Sequence, residues 1–138
     1  MSKLKLLAVD AEDLAIISSA TQDALVPVRD CGWFKDEKRF ALLLNRFRWE
    51  ASDERESSRT HSALVFNDVT SVSHIDVPLG EPDRVLELLA VAQEAPNTVI
   101  LRFAAGRAIR LEIARLACHL EDVGEPWATP WKPAHPDQ

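Results

Sequence analysis

One stretch of sequence, residues 98–124 (TVILRFAAGRAIRLEIARLACHLEDVG), constrains the fold of this chain more than any other. Two apolar runs, 98–104 and 108–113, flank a short sequence in which Gly106 can adopt the positive φ that a tight turn needs. This arrangement predicts a β-hairpin. Beyond the hairpin, apolar residues recur every three or four positions, which predicts a short helix over residues 113–124 with its last glycine as the cap.

The rest of the chain is also rich in strand patterns. Asp10 is a good N-cap for an amphipathic helix predicted over residues 11–24. Asn67 and Asp68 favour a tight turn or a bulge between two strands. Residues 85–95 fit both a helical stripe and a buried strand, so periodicity alone leaves this segment open. The other predicted strands cover residues 3–9, 28–34, 39–49, 60–66 and 69–77.

The order of these elements predicts a single α+β domain over residues 1–125, followed by a proline- and tryptophan-rich tail over residues 126–138. A chain of 138 residues suits one domain. We expect seven or eight mainly antiparallel strands in a curved sheet, two packed sheets or a partial barrel. One helix should lie near the N-terminus and one short helix near the C-terminus.

Composition narrows the class of function. The net charge of −6 argues against a general nucleic-acid binder, which would need a basic face. No apolar run approaches the ~20 residues of a membrane span, and the N-terminal apolar run is too short for a signal-peptide core. We therefore expect a cytoplasmic protein that contacts neither nucleic acid nor membrane. Cys31 and Cys118 are isolated in the sequence, and we expect both to be reduced and buried.

Two features suggest binding surfaces. Arg46 and Arg48 fall on one face of a predicted strand and should project from the sheet, with Trp49 on the opposite face. Two such guanidinium groups could hold a carboxylate or phosphate, and the alternative is cross-strand pairing with acidic side chains. In the tail, Trp127 and Trp131 lie four residues apart and could anchor the tail on a partner or on its own domain.

A pair of histidines is the sharpest indication of metal chemistry. If the Asn67-Asp68 sequence forms a two-residue hairpin turn, His61 faces His74 on the neighbouring strand. Such a pair could bind a divalent metal, and ordinary surface pairing is the alternative. The sequence contains no nucleophile motif and no phosphate-binding loop, so no catalytic residue and no cofactor are predicted.

Several stretches of the chain are similar to one known family. They are LRFAAGRAIRLEIARLACHLEDVG followed by PWATPWKPAH, and also LKLLAVDAEDLAIISSATQDALV and FALLLNRFRWE. Through them, over nearly its whole length, the chain resembles the uncharacterised bacterial family called domain of unknown function 2948. In similar sequences the segment that matches residues 85–95 carries β-branched and aromatic residues, which favours a strand over residues 85–93. The resemblance implies no activity, substrate or functional residue.

These features predict a non-enzymatic cytoplasmic domain that binds a protein partner or a small ligand. The candidate surfaces are the face of Arg46 and Arg48 and the tryptophan-containing tail, and the expected partner is a second copy of the chain or an unknown protein. The alternative is a metal-dependent enzyme that uses His61 and His74.

Overall fold

The computed structural model describes residues 3–51 and 57–128. Within these ranges lie one α-helix and ten strands, and every strand pairing is antiparallel. The elements are α1 Ala11–Ala20 and the strands β1 Lys5–Ala8, β2 Ala24–Pro27, β3 Cys31–Phe34, β4 Arg39–Phe47, β5 Ser58–Phe66, β6 Val69–Ile75, β7 Val85–Ala95, β8 Thr98–Phe103, β9 Ala108–Ile113 and β10 Cys118–Ala128.

Helix α1 begins where the sequence predicts and ends earlier. The Asp10 carboxylate accepts a hydrogen bond from the Asp13 amide at 2.8 Å, so the predicted N-cap is confirmed. The helix ends at Ala20 because residues 24–27 leave it to form β2. Leu14 is buried in the core. No helix within residues 3–51 and 57–128 is long and apolar enough to cross a bilayer.

The predicted hairpin and the ambiguous segment are both strands. β8 and β9 pair across a turn in which Gly106 has a φ of 71°, as expected for a glycine at that position. Residues 85–95 form β7, which pairs with β2 and β8. The strand therefore continues beyond residue 93, where the resemblance had favoured its end.

The predicted C-terminal helix over residues 113–124 is wrong, and the described residues form ten strands rather than seven or eight. Every second residue at the start of β10, namely Cys118, Leu120 and Asp122, is buried. This period of two is the pattern of a strand with one face toward the core. β10 pairs with β5 on one side, and its first part, residues 118–121, also pairs with β1 on the other side. This tertiary pairing outweighs the local preference for a helix.

β10 also extends into the segment that was predicted to be a tail. Its register with β5 shifts between Val123 and Trp127, and Gly124 has a φ of 78° within that shift. The glycine therefore accommodates an irregularity in the strand instead of capping a helix. Residues 129–138, including Trp131, lie outside the described residues.

The sheet is open and curls around a single core. Its strand order is β1-β10-β5-β4-β2-β7-β8-β9-β6, with β3 paired to the first half of β4. Helix α1 packs against both β1 and β7, although four strands lie between these two in the sheet. Because neighbouring strands are ~4.8 Å apart, one helix could not reach both in a flat sheet. The amide of Val69 in β6 also donates to the carbonyl of Lys38 in the β3–β4 turn at 2.9 Å.

Curling gives the sheet an inner face, which forms the core, and an outer face. The large aliphatic and aromatic side chains of the inner face form one continuous core that includes residues from both ends of the sheet. Among the most deeply buried are Leu44, Leu64, Phe66, Leu88, Leu101, Leu111 and Leu120.

Replacing Asp10 with alanine should lower the free energy of unfolding by about 1 kcal/mol, because the first turn of α1 loses its side-chain acceptor. Denaturant unfolding followed by circular dichroism would measure this change. Ser19→Ala, at an exposed position of the same helix, is the control and should leave stability nearly unchanged. Equal stability of Asp10→Ala and the native protein would contradict the role of this cap.

Candidate functional site

The predicted pairing of β5 with β6, which would place His61 opposite His74, is wrong. β5 pairs with β4 and β10, whereas β6 pairs with β9. His61 therefore lies opposite Asn45 and Val123, and His74 lies opposite Ile109. In the described ranges no group of three or more histidine, cysteine, aspartate or glutamate side chains is arranged to hold a metal ion. The metal-dependent alternative thus loses the strand register on which it rested.

The prediction that Arg46 projects from the sheet is wrong. The residue lies on the inner face of the sheet, and none of its side chain is exposed. Its Nε donates to Ser62 Oγ and to Asp122 Oδ1, both at 3.0 Å. Its Nη2 donates to Asp122 Oδ2 at 2.9 Å, and both terminal nitrogens donate to the Glu50 carboxylate at 2.8–2.9 Å. The cross-strand pairing offered as the alternative is therefore the arrangement that forms.

The carboxylate of Asp122 joins this arginine to the rest of the sheet. The Ser62 hydroxyl donates to Asp122 Oδ1 at 2.6 Å, and the Leu4 amide donates to Asp122 Oδ2 at 2.9 Å. The network, which we call the Arg46 network, thus connects β4, β5 and β10 with the residue just before β1. Such complete pairing is what a buried charge requires, because an unpaired one is strongly destabilising.

The charges in this network stabilise one another. Burial raises the pKa of Asp122, but the hydrogen bonds from Arg46, Ser62 and the Leu4 amide and the charge of Arg46 outweigh it, so the pKa lies below its ordinary value. Burial also raises the pKa of Glu50, and its pairing with Arg46 lowers it more strongly. Both carboxylates are therefore ionised at neutral pH, and the network as a whole carries one net negative charge, with Glu50 partly exposed to solvent.

Arg48 and Trp49, the other two residues of the predicted binding surface, close the end of the β4–β5 pair. The Arg48 amide donates to the Ser58 carbonyl at 2.9 Å, and its Nη1 donates to Ser58 Oγ at 3.1 Å. Trp49 Nε1 donates to the Gln22 carbonyl at 3.2 Å, and its ring meets Phe47 edge-on with centroids 4.8 Å apart. Both side chains thus hold the end of the sheet together.

The structure brings two predicted site residues together in an unexpected pair, His61 and Trp127. Their ring centroids lie 4.9 Å apart on the outer face, and 38% of Trp127 is exposed. The sequence assigned His61 to a metal pair and Trp127 to a tail. Their contact follows from the register of β10 against β5. This register could not be predicted, because residues 113–124 were expected to form a helix.

Two adjoining hollows lie beside this pair on the outer face, and we call them together the outer groove. The first has a volume of about 270 Å³ and the second of about 230 Å³. Leu43 forms the ridge between them, since it lines both, as do Arg29 and Asp30. Further residues of the first hollow include Gly32, Phe34, Ala41 and Ala63, and those of the second include Leu25, Asn45, His61 and Val85.

The groove arises where β4 changes its neighbour. β3 pairs with β4 over residues 39–42 and β2 pairs with it at Asn45, while the 3-10 turn Val28–Asp30 leads the chain from one to the other. In the first hollow the ring of Phe34 lies directly over Gly32. This close contact requires glycine, because a Cβ atom at residue 32 would lie 2.8 Å from the ring.

The surface of the groove is largely apolar. Leu25 is 36% exposed, Leu43 37%, Val85 49% and Phe34 50%. Two charged residues, Arg29 and Asp30, also line both hollows, and Arg29 donates to the Asp83 carboxylate at 2.6 Å. Neighbouring exposed apolar side chains with a polar rim are typical of interaction sites.

Neither cysteine is suited to be a nucleophile. Burial, with a smaller contribution from Asp30, raises the pKa of Cys31 to about 11, and burial raises the pKa of Cys118 to about 12. Because the reactive species is the thiolate, both thiols are unreactive near neutral pH. Cys31 lines the first hollow and thus contributes an apolar wall to it.

Comparison with known proteins yields one family. The model of the family described as "Protein of unknown function (DUF2948)" matches residues 4–135. No curated protein and no solved structure matches the chain.

The stability of the protein should fall in acid because of Asp122. Since its pKa is lower in the folded than in the unfolded chain, the stability it contributes is present above about pH 4 and is lost as the pH falls through the folded-state value. Urea unfolding at a series of pH values should show this slope, and Asp122→Asn should reduce both the slope and the stability near neutral pH. Asp36→Asn, an exposed carboxylate in the β3–β4 turn, is the control. Identical slopes for Asp122→Asn and the native protein would exclude this explanation.

The thiols should react slowly in the folded protein. At about pH 8 the thiolate fraction of Cys31 should be roughly 100-fold below that of an ordinary cysteine. Reaction with a chromogenic disulfide reagent, followed by absorbance, should therefore be slow in the native state and fast in guanidinium. A Cys118→Ser variant assigns the remaining signal to Cys31. Native reaction at the rate of free cysteine would contradict the raised pKa.

Proposed function

This chain belongs to the DUF2948 family of proteins of unknown function, and we propose that it is a non-enzymatic binding domain. Its outer groove takes an extended segment of a partner protein that carries two apolar side chains. The observation that carries the proposal is the pair of small, largely apolar hollows that adjoin at Leu43, Arg29 and Asp30.

The size of the hollows favours side chains over a larger ligand. Pockets for small molecules usually measure roughly 300–1,000 Å³, and each hollow is smaller than that. A volume of this size can accept one apolar side chain. An extended peptide presents every second side chain to the same side, at intervals of ~7 Å, so two neighbouring hollows suit two such residues.

The polar groups around the groove support a peptide as the occupant. His61 lines the second hollow and can exchange hydrogen bonds with a peptide backbone. Asn45 is already engaged, because its side-chain oxygen accepts from Arg59 at 2.5 Å. Trp127 stands beside His61, partly exposed, and tryptophan is enriched among the residues that dominate binding energy.

A displayed library of random octapeptides would test this function. Enriched peptides should carry two apolar residues at positions i and i+2, and their Kd should rise at least about tenfold for Leu43→Glu, which places a charge on the ridge. Gly32→Val should weaken them as well, because the new side chain displaces the Phe34 ring into the first hollow. Ile16→Glu, at an exposed position on α1, is the matched control.

Two outcomes would disprove the proposal. One is a library that yields no enrichment over several rounds. The other is enrichment that persists unchanged in Leu43→Glu, provided that circular dichroism and thermal unfolding show this variant to be folded. Chemical shifts of an enriched peptide complex should in addition map to the residues that line the two hollows.

A further inference from the structure

A second surface lies at the β6 edge of the sheet. β6 is the last strand in the strand order, and among the described strands it pairs only with β9. Its first residue, Val69, is tied to the Lys38 carbonyl, but Ser71, Ser73 and Ile75 are exposed. Within the described part of the chain, the outward backbone groups of residues 71–75 therefore face no neighbouring strand.

Residues 71–75 of this edge lack the features by which proteins usually prevent strands from pairing with one another. Such edges commonly carry lysine, proline or a bulge. The sequence of β6, VTSVSHI, contains no aspartate, glutamate, lysine, arginine or proline. The irregularity in its pairing with β9 lies between Val69 and Ser71, at the start of the strand. The opposite edge strand, β1, has only four residues and carries Lys5. The regular part of β6, residues 71–75, is thus the unprotected edge.

We propose that β6 pairs in antiparallel fashion with β6 of a second copy of this chain, about a two-fold axis at Ser73. The sheet then continues from one copy into the other. In this register Ser73 faces Ser73 of the second copy, Val72 faces His74 and Ser71 faces Ile75. A two-fold interface must be complementary to itself, and here no formal charges of equal sign oppose each other.

The side chains along this edge agree with the proposal. Ile75 is 62% exposed although it lies in a strand, and pairing would cover it with Ser71 of the second copy. Ser73 and Ile75 also form one wall of a hollow of about 370 Å³, whose other residues include Ile100, Arg102 and Arg110. Pairing would therefore place the hollows of the two copies on either side of the axis.

Substitutions at Ser73 test the axis directly. The native protein should be a dimer by analytical ultracentrifugation and by light scattering on a sizing column. Ser73→Lys and Ser73→Glu should each raise the Kd of the dimer at least about tenfold, because each places two equal charges opposite each other. An equimolar mixture of the two variants should restore the dimer, since the charges are then opposite in sign. Ser19→Lys, exposed on α1, is the control for added charge.

Several results would overturn the inference. They are a monomeric native protein at high concentration, a Ser73→Lys variant that dimerises as tightly as the native protein, and a mixture of Ser73→Lys and Ser73→Glu that stays monomeric. A dimer that survives Ser73→Lys but dissociates in Leu43→Glu would place the contact at the outer groove instead. If the native protein is monomeric and peptides from the library bind it but not Ser73→Lys, the edge pairs with a strand of another protein instead. Circular dichroism establishes that each variant is folded.

Discussion

The burial of the Arg46 guanidinium is the constraint on which the pairing of the central strands depends. A charge taken out of water is tolerated only with complete pairing, and here Asp122, Glu50 and Ser62 supply it. A slip of one residue in β5 or β10 would turn Ser62 or Asp122 to the outer face and leave the arginine without its partner. The network therefore selects one register for three neighbouring strands, and through the Leu4 amide it holds the start of the chain against β10.

The location of this network decides what the outer face can do. Arg46 and Asp122 lie on the inner face, and the opposite face of β4 and β5 carries small and apolar side chains between polar ones such as Arg39 and Asn45. Ala41, Leu43 and Ala63 line the hollows there, and His61 stands against Trp127 at their margin. The residues that seemed most suited to binding hold the domain together, whereas less conspicuous residues form its accessible surface.

The outer groove and the β6 edge are compatible with each other. The groove is formed around β2, β3, β4 and β5, whereas β6 is separated from β4 by four other strands in the sheet. The two proposed contacts therefore use different residues of the sheet. An open sheet has free edges, and in this protein the two edges differ in length and in charge.

Features that depend on a few neighbouring residues could be predicted from the sequence. The cap of α1 at Asp10, the β8–β9 turn at Gly106 and the alternation along β4 follow from local geometry, and the structure confirms them. Membership of the family is likewise carried by the sequence. Pattern also located the residues of β7, although only the resemblance favoured strand over helix there.

Strand pairing, in contrast, depends on contacts between distant segments of the chain. Residues 113–124 have the spacing of a helix, yet residues 118–121 pair with both β1 and β5, and only a strand can make both pairings. The partner of Arg46 is 76 residues away in the chain, and His61 meets Trp127 rather than His74 for the same reason. Local propensities reflect only a few neighbouring residues. Strand pairing and the pairing of buried charges instead depend on segments that are far apart in the chain and meet when the sheet folds around its core.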